Sequence, residues 1–300
     1  MNKQFESFTT QSTHGEVNYN CPICFDKGIV LTKEQELNPF TKEPKFNTDG
    51  TPRMIDVGKE CECREQIKLQ KRFKSSMIPS EFQNARFDNY VKTSPIQVKL
   101  FEAMKEYLIR FLENFDKEAN KYNGNCNLGF IAEFGEQRIR SLDVGIRATT
   151  KRENNSFGLG KTHLQVAASK WLMNKGIRTL VISDIDFMKE LQHAMFLKDQ
   201  NETLNKLLHQ VINVNVLVWD DIGKSKPSEA KEDFYYQIIN ERYRHNRPIL
   251  FSSNEDRGTL SERIGYAGAS RLFGMCEKEF LIECKGEDWR LKKKGESQIV

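Results

Sequence analysis

No stretch of this 300-residue chain approaches the ~18 consecutive apolar residues that a membrane-crossing helix needs. The opening segment MNKQFESFTTQSTHGEVNYN has no apolar h-region, so no secretory signal is expected and a cytoplasmic location with no membrane partner is. Charge of one sign is not in large excess: the net value of +4 permits contact with nucleic acid without demanding it. No internal repeat and no low-complexity tract are found. Cysteine is too scarce and too unevenly spaced for a disulfide framework. There are seven, an odd number, at 21, 24, 61, 63, 126, 276 and 284. Four of them fall in two close pairs, a pattern that suits a metal ion better than disulfides.

What is present is a polar surface over a sizeable core, with 29% charged residues but 20 Phe and 8 Tyr. Residues 1–80 read as a separate module: they hold both cysteine pairs, separated by a polar, turn-rich stretch, and end in the basic run Lys68 to Lys74. Residues 81–300 read as a second domain. It starts with a long amphipathic helix carrying Leu100, Phe101, Met104, Tyr107, Leu108, Phe111, Leu112 and Phe115 at steps of three and four, a stripe that suits core packing. Short apolar runs then alternate with helical patterns: TLVIS (179–183), VLVW (216–219), PILFSS (248–253) and EFLIEC (279–284) as strands. Repeated β–α units with short connections predict an α/β fold, a parallel sheet between layers of helices.

Within that domain NNSFGLGKTHL, residues 154–164, nearly spells the phosphate-binding pattern G-x-x-x-x-G-K-[ST]. Backbone N–H groups freed by Gly158 and Gly160 can curl around a phosphate at a helix N-terminus, Lys161 can reach the β/γ-phosphates, and the Thr162 hydroxyl can hold Mg²⁺. Asn155 stands where the first glycine is usual, and Asn is the residue that best tolerates left-handed backbone after glycine. The candidate nucleotide-binding set is therefore Asn155, Ser156, Phe157, Gly158, Leu159, Gly160, Lys161, Thr162 and His163. His163 itself reads as a local helix contact, and His193, His209 and His245 as surface residues. Two more strand ends converge on this edge. VLVWDD ends in Asp220, an Mg²⁺ ligand through water, and Asp221, where a water-polarising acid is expected. LFSSN ends in Asn254, which can orient that water. The strand ahead of the loop is ambiguous: DVGIRA, with Val144 to Ala148, is preferred for proximity, while LGFIAEF (128–134) is more apolar and would make residues 135–153 an insertion.

Taken in order, NSFGLGKTHL, VWDDIGK, QIINERY, PILFSSN, SRLFGMC and KGEDWR resemble the AAA+ P-loop ATPases that load replicative helicases, the DnaC/DnaI type, whose core is shared by the helper ATPases of insertion-sequence transposition. The resemblance covers residues 85–292 and extends to the N-terminal CPIC…CEC. It implies ATP with Mg²⁺ as cofactor, Arg271 as an arginine finger acting on a neighbouring copy, and Arg290 as a sensor-2 arginine reading its own nucleotide. Arg263 is a rival finger, with a surface ion pair to a neighbouring acid as its favoured reading. Partners implied are a ring helicase of the DnaB type, single-stranded DNA and further copies of the chain. Asp221 in place of the commoner glutamate predicts slow hydrolysis, used as a switch. Cys21, Cys24, Cys61 and Cys63 are the expected ligands of a structural Zn²⁺, although the one-residue gap of the second pair and the long spacer leave four buried thiols as the alternative. With the resemblance, the N-terminal module is expected to contact the helicase. A transposition helper on duplex DNA, or a zinc-dependent adaptor with a decayed ATP site, are the competing functions. Cys126, Cys276 and Cys284 read as packed residues, and the run Arg290 to Lys294 as a solvated tail.

Overall fold

The computed structural model describes residues 23–25, 27–61, 64, 78–119 and 121–290. Cys21, Cys63, the basic run Lys68 to Lys74 and Leu291 to Lys294 lie outside them. The chain divides into two compact units, residues 1–70 and 71–300. Among the described residues no helix is long and apolar enough to cross a membrane.

The first unit is built on an antiparallel ribbon, β1 (Ile29–Gln35) with β2 (Met54–Glu60), in the register Ile29↔Glu60 to Gln35↔Met54. The ribbon buries almost nothing: among the described residues of this unit only Cys24, Gly28 and Cys61 are buried. Cys24, 3% exposed, and Cys61, 7% exposed, pack together against Val30. A two-stranded ribbon without an apolar face is marginal in water.

The second unit opens on a 3₁₀ turn at Ser80–Phe82 and then α1 (Pro95–Asn114). Ser94 and Gln97 form a reciprocal N-terminal capping box and Pro95 occupies the first turn, so local sequence starts α1 sharply. Leu100, Met104, Tyr107, Leu108 and Phe111 are buried, as the stripe predicts, at about 1.5–3 kcal/mol of burial each. A short hairpin, β3 (Phe115–Asp116) with β4 (Lys121–Tyr122), leads to β5 (Asn127–Ala132), in which all residues are buried.

The segment preferred as the strand ahead of the phosphate loop proves helical. Two short helices, α2 (Glu136–Ser141) and α3 (Val144–Glu153), fill the interval after β5. The reason is burial. A strand in the middle of a parallel sheet is covered on both faces and must be apolar throughout, which NLGFIA satisfies. Val144 and Ile146 are instead 79% and 53% exposed. LGFIAEF therefore supplies the strand, and residues 135–153 are inserted between it and the loop.

After the loop come α4 (Lys161–Asn174), β6 (Thr179–Ser183), α5 (Asp184–Met195), α6 (Glu202–Asn213), β7 (Val216–Asp220), α7 (Glu229–Arg244), β8 (Ile249–Ser252), α8 (Arg257–Ile264), α9 (Tyr266–Gly274) and β9 (Cys276–Cys284). Ser228 sits at the start of α7, as read from sequence, but its side chain makes no capping bond. The sheet order is β6-β7-β8-β5-β9, with every pairing parallel. One apolar cluster, holding Leu100, Phe111, Leu164 and Leu172, covers one face; another, holding Phe187, Leu208, Ile238 and Leu272, covers the other. Cys126 and Cys284 are buried within the first, and Cys276 is partly buried against the second. The C-terminal ends of β5, β7 and β8 come out side by side, where open α/β sheets bind ligands.

Candidate functional site

The phosphate loop bridges α3 and α4. Its left-handed positions are Gly158 and Gly160, at φ of 66° and 83°, and neither could carry a side chain. A Cβ on Gly158 would run into the Asp288 carboxylate, and one on Gly160 would come 2.6 Å from the Tyr90 ring. Asn155 does not use left-handed backbone, contrary to the sequence argument. Its side chain does the turn's work instead: Oδ1 accepts from Phe157 N at 3.3 Å, and Nδ2 donates to Phe157 O at 2.9 Å and to Gly286 O at 2.7 Å. Gly286 N returns a bond to Asn155 O and Trp289 N to Gly158 O, so the segment after β9 runs along the loop.

Lys161 is 6% exposed. Its ammonium donates to Ser253 O at 3.0 Å and to Asn254 Oδ1 at 2.8 Å. Burial holds its pKa below the usual lysine range, while Asp221 and Asp220 pull it back up. Thr162 Oγ1 donates to both carboxylate oxygens of Asp220, at 2.9 and 3.1 Å, and Ser252 Oγ donates to Oδ1 at 2.7 Å. Burial and the neighbouring Asp221 push the Asp220 carboxyl upward. A hydroxyl and a desolvated carboxylate on one edge are a hard oxygen donor set, the chemistry Mg²⁺ takes when it also holds phosphate.

Asp221 has left-handed backbone, φ 53°, an unusual state for a residue other than glycine. Its carboxylate is engaged at both oxygens: Asn254 Nδ2 donates to Oδ1 at 2.9 Å, and Lys224 Nζ pairs with Oδ2 at 2.5 Å. The loop carrying Lys224 is held from two sides. Asp184 accepts from Ser225 N at 2.9 Å, and Arg263 donates to the carbonyls of Gly223, Lys224 and Ser225. Arg263 is therefore a backbone clamp, neither the surface ion pair expected for it nor a free finger.

A cavity of about 280 Å³ collects Ser156, Phe157, Gly158, Leu159, Gly160, Lys161, Thr162, His163, Asp221, Lys224, Asn254 and Arg290 along its walls. The structure thus brings together Ser156 to His163 with Asp221, Asn254 and Arg290; Asp220 joins them through its bond from Thr162, whereas Asn155 lines the neighbouring cleft. In this state the Arg290 guanidinium lies on Asp288, with Nε to Oδ1 at 3.1 Å and Nη2 to Oδ2 at 3.2 Å. His163 does not make the local helix contact expected for it: its partners are distant in sequence, with Nε2 2.9 Å from Arg86 O and its ring against Tyr90. His193, His209 and His245 are exposed. Arg271 is not part of this pocket. It lies on α9 with its guanidinium over the rings of Tyr236 and Tyr243, at 5.2 and 5.8 Å.

Sequence reading missed Ser252, Lys224, Tyr90 and Asp288. Lys224 carries a local signal, closing VWDDIGK directly after the turn glycine Gly223. The others meet the loop only through tertiary packing. Among the described residues no three His, Cys, Asp or Glu side chains cluster in a way that could hold a metal ion. Two of the four candidate zinc ligands are described, Cys24 and Cys61, and Gly28 N donates to Cys24 Sγ at 3.2 Å.

Residues 153–297 match the family of IstB-like ATP binding proteins. A putative ATP-binding protein of insertion sequence IS5376 from Geobacillus stearothermophilus is 30% identical over 165 residues, 53% of this chain. The chain spans 63% of that relative, less than two thirds of its length. The replicative helicase loader DnaC of Buchnera aphidicola is 26% identical over 245 residues, 79% of this chain and 86% of the loader. In fold, the chain is similar to the replication initiator DnaA solved with AMPPCP and single-stranded DNA, at a TM-score of 0.50 and 20% identity, over 74% of this chain and 55% of that one. Residues 153–297, which carry the phosphate loop and the strand ends at Asp220 and Asn254, are thus similar to IstB-like ATP-binding proteins, on an α/β fold shared with the DnaA initiator, in a chain whose relatives include replicative helicase loaders.

Proposed function

We propose that the chain is an ATP-dependent loader that delivers a replicative ring helicase onto single-stranded DNA, with slow ATP hydrolysis as the switch that ends the delivery. The observation that carries this reading is the extent of the DnaC alignment, which runs across 79% of this chain, well beyond the family match at residues 153–297. Lys161 would neutralise the β/γ-phosphates and the loop amides would hold them. Mg²⁺ between Thr162 and Asp220 would supply further neutralisation of the phosphate charge. Asp221 and Asn254 would orient the attacking water, and Arg290 would leave Asp288 for the nucleotide. Arg271, remote from its own pocket, would complete the pocket of the next copy, where such a cation can be worth several orders of magnitude in rate.

The engaged state of Asp221 supports slow turnover. A carboxylate held by Lys224 and Asn254 keeps acceptor sites for water but shares its charge with the paired cation, and its short side chain leaves the oxygen further back than a glutamate would. Displacements of ~1 Å can lower a rate ~100-fold. Steady-state turnover with single-stranded DNA is expected below ~1 s⁻¹, and a phosphate-release assay giving a much faster rate would remove the switch from this reading.

Residues 1–80 would grip the helicase, stapled by zinc on Cys21, Cys24, Cys61 and Cys63. The buried pairing of Cys24 with Cys61 supports this, because the ribbon beside it has no core to hold it. Affinity capture with the full-length chain is expected to retain the replicative helicase of its host, with about one zinc per chain. The Cys24→Ser/Cys61→Ser variant is expected to lose both while still binding ATP. A second reading, a transposition helper, is favoured by the 30% identity to the insertion-sequence relative; capture of a transposase in place of a helicase would select it. Failure of the wild-type chain to bind ATP would select a zinc-dependent adaptor.

A further inference from the structure

The insertion between β5 and the phosphate loop is not needed to build the nucleotide pocket, and its second helix buries nothing. α3 has ten residues, none of them buried. A helix this short is marginal in water unless something packs on it, so its composition should reflect what it meets. At 100° per residue, Val144, Arg147, Ala148, Lys151 and Arg152 share one face, and Glu153, the only acid within the helix, falls on the opposite one. Ala148, Lys151 and Arg152 line a cleft of about 770 Å³ whose far wall is Phe157 and Arg290, beside the nucleotide pocket. Three acids also line it. Of these, Glu136 is bound to Arg140 and Asp288 to Arg290, and Glu287 is the third. Among the described residues Lys151 and Arg152 form no ion pair.

The insertion is also tied mechanically to the pocket. At its root Gly135 N and the Arg138 guanidinium both meet Asp256 Oδ2, at 2.9 and 2.8 Å, and Glu136 N donates to the carbonyl of Asn254 at 3.0 Å. At its far end α3 passes directly through Asn154 into Asn155. An occupant of the cleft would therefore touch a segment joined at one end to Asn254 and at the other to the phosphate loop.

We propose that this cleft takes the sugar–phosphate backbone of single-stranded DNA, with Lys151 and Arg152 on the phosphates and Phe157 beside a base. The lining balances three cations with three acids, but among the described residues Lys151 and Arg152 are in no ion pair, and such cations beside an aromatic ring are the chemistry that holds an unpaired strand without regard to sequence. The inference rests on the reading that the protein engages single-stranded DNA and names where it does so. It also gives the strand a direct route to the ATP site.

The test is fluorescence anisotropy of a labelled oligothymidylate of about 20 nucleotides, longer than the ~4–16 nucleotides that single-strand sites cover, with the full-length chain. Lys151→Ala/Arg152→Ala keeps good helix formers in α3. Two lost phosphate contacts should weaken binding roughly 25-fold at about 0.1 M salt and make the salt slope shallower by about 1.4. Affinity for a non-hydrolysable ATP analogue and the melting temperature should not move, and Glu153→Ala should leave DNA binding within about twofold. Unchanged DNA affinity in the double variant, with the wild type binding, overturns the cleft and leaves the loader reading standing. A wild type that binds no oligonucleotide overturns the DNA partner itself. Loss of ATP-analogue affinity would make the two cations part of the nucleotide site, and loss of self-association alone would make α3 a protein contact; either result overturns the proposal.

Discussion

Lys161→Ala should weaken ATP binding by roughly two to three and a half orders of magnitude while leaving the protein folded. The two halves of that expectation come from the same geometry. The Lys161 ammonium is almost wholly withdrawn from water, and without nucleotide it is held by one carbonyl and one amide oxygen, those of Ser253 and Asn254. Burial disfavours its charge, as the lowered pKa reflects. Removing it from the ligand-free chain therefore gives up two hydrogen bonds but also relieves a desolvated cation, and the acceptors can turn to water in the open pocket. The net change in stability should be within about 1 kcal/mol. With phosphate present the balance is one-sided. A fixed, desolvated cation facing phosphate oxygens is a charge-assisted contact with no solvent competing, and deleting one member of such a buried pair costs about 3–5 kcal/mol. That corresponds to roughly two to three and a half orders of magnitude in affinity. Titration calorimetry or a fluorescent ATP analogue reads the loss, and thermal melting reads the fold. An affinity within tenfold of wild type would mean that nucleotide phosphate does not lie over Lys161, and the whole assignment of Ser156 to Thr162 would fall with it.

Much of this site was legible in the sequence for a definite reason. Strands of a parallel sheet are covered on both faces, so TLVIS, VLVW and PILFSS show as unbroken apolar runs. The polar residues that end them, Asp220, Asp221 and Asn254, are thereby marked as facing the ligand edge. The phosphate loop was legible because only glycine fits where Asp288 and Tyr90 approach the backbone. What the sequence hid has equally physical causes. The helical insertion separates the loop from its strand, and proximity along the chain then favoured the wrong segment over the more apolar one. Asn155 was credited with backbone tolerance, whereas its side chain forms the turn. Arg263 sits on a helix with acids nearby, yet its partners are three carbonyls contributed by a loop some forty positions away, which no helical periodicity encodes. Ser252 took its role from the neighbouring strand that brings it to Asp220, whereas Lys224 meets Asp221 within one turn. Of the cysteine pairs, Cys24 and Cys61 are described and pack together, an arrangement that fits a shared metal as well as buried thiols.

The residue least visible in the sequence should carry the largest effect on stability. Arg242, near the end of α7 in QIINERYR, reads as an ordinary surface cation, yet it is completely buried. Among the described residues no carboxylate pairs with it. Nη1 donates to the carbonyls of Val211, Ile212 and Val214 at 2.7, 3.1 and 3.0 Å, and Nη2 to those of Asn215 and Pro248 at 3.3 and 2.6 Å. Burial lowers its pKa to about 9, which still leaves it charged at neutral pH. The carbonyls of Val211 and Ile212 belong to the last turn of α6, the negative end of that helix, and this offsets part of the missing counter-charge. Val214 and Asn215 lead into β7, and Pro248 leads into β8. One guanidinium thus ties a helix end to the starts of the two strands whose far ends carry Asp220 and Asn254. Arg242→Met would fill much of the volume but remove a donor from five buried carbonyls, of which Ile212 O keeps Arg247 Nη1 and Pro248 O keeps Leu217 N, so a loss of about 4 kcal/mol is expected, a large share of the ~5–15 kcal/mol that holds a domain together. Arg242→Lys should fall between, because a compact ammonium has fewer donors than the five-donor fork it replaces. Urea unfolding followed by circular dichroism measures both. If Arg242→Met costs less than about 1 kcal/mol, then α6 and the two strands are held by apolar packing alone, and the carbonyl cage is a consequence of the fold that contributes nothing to it.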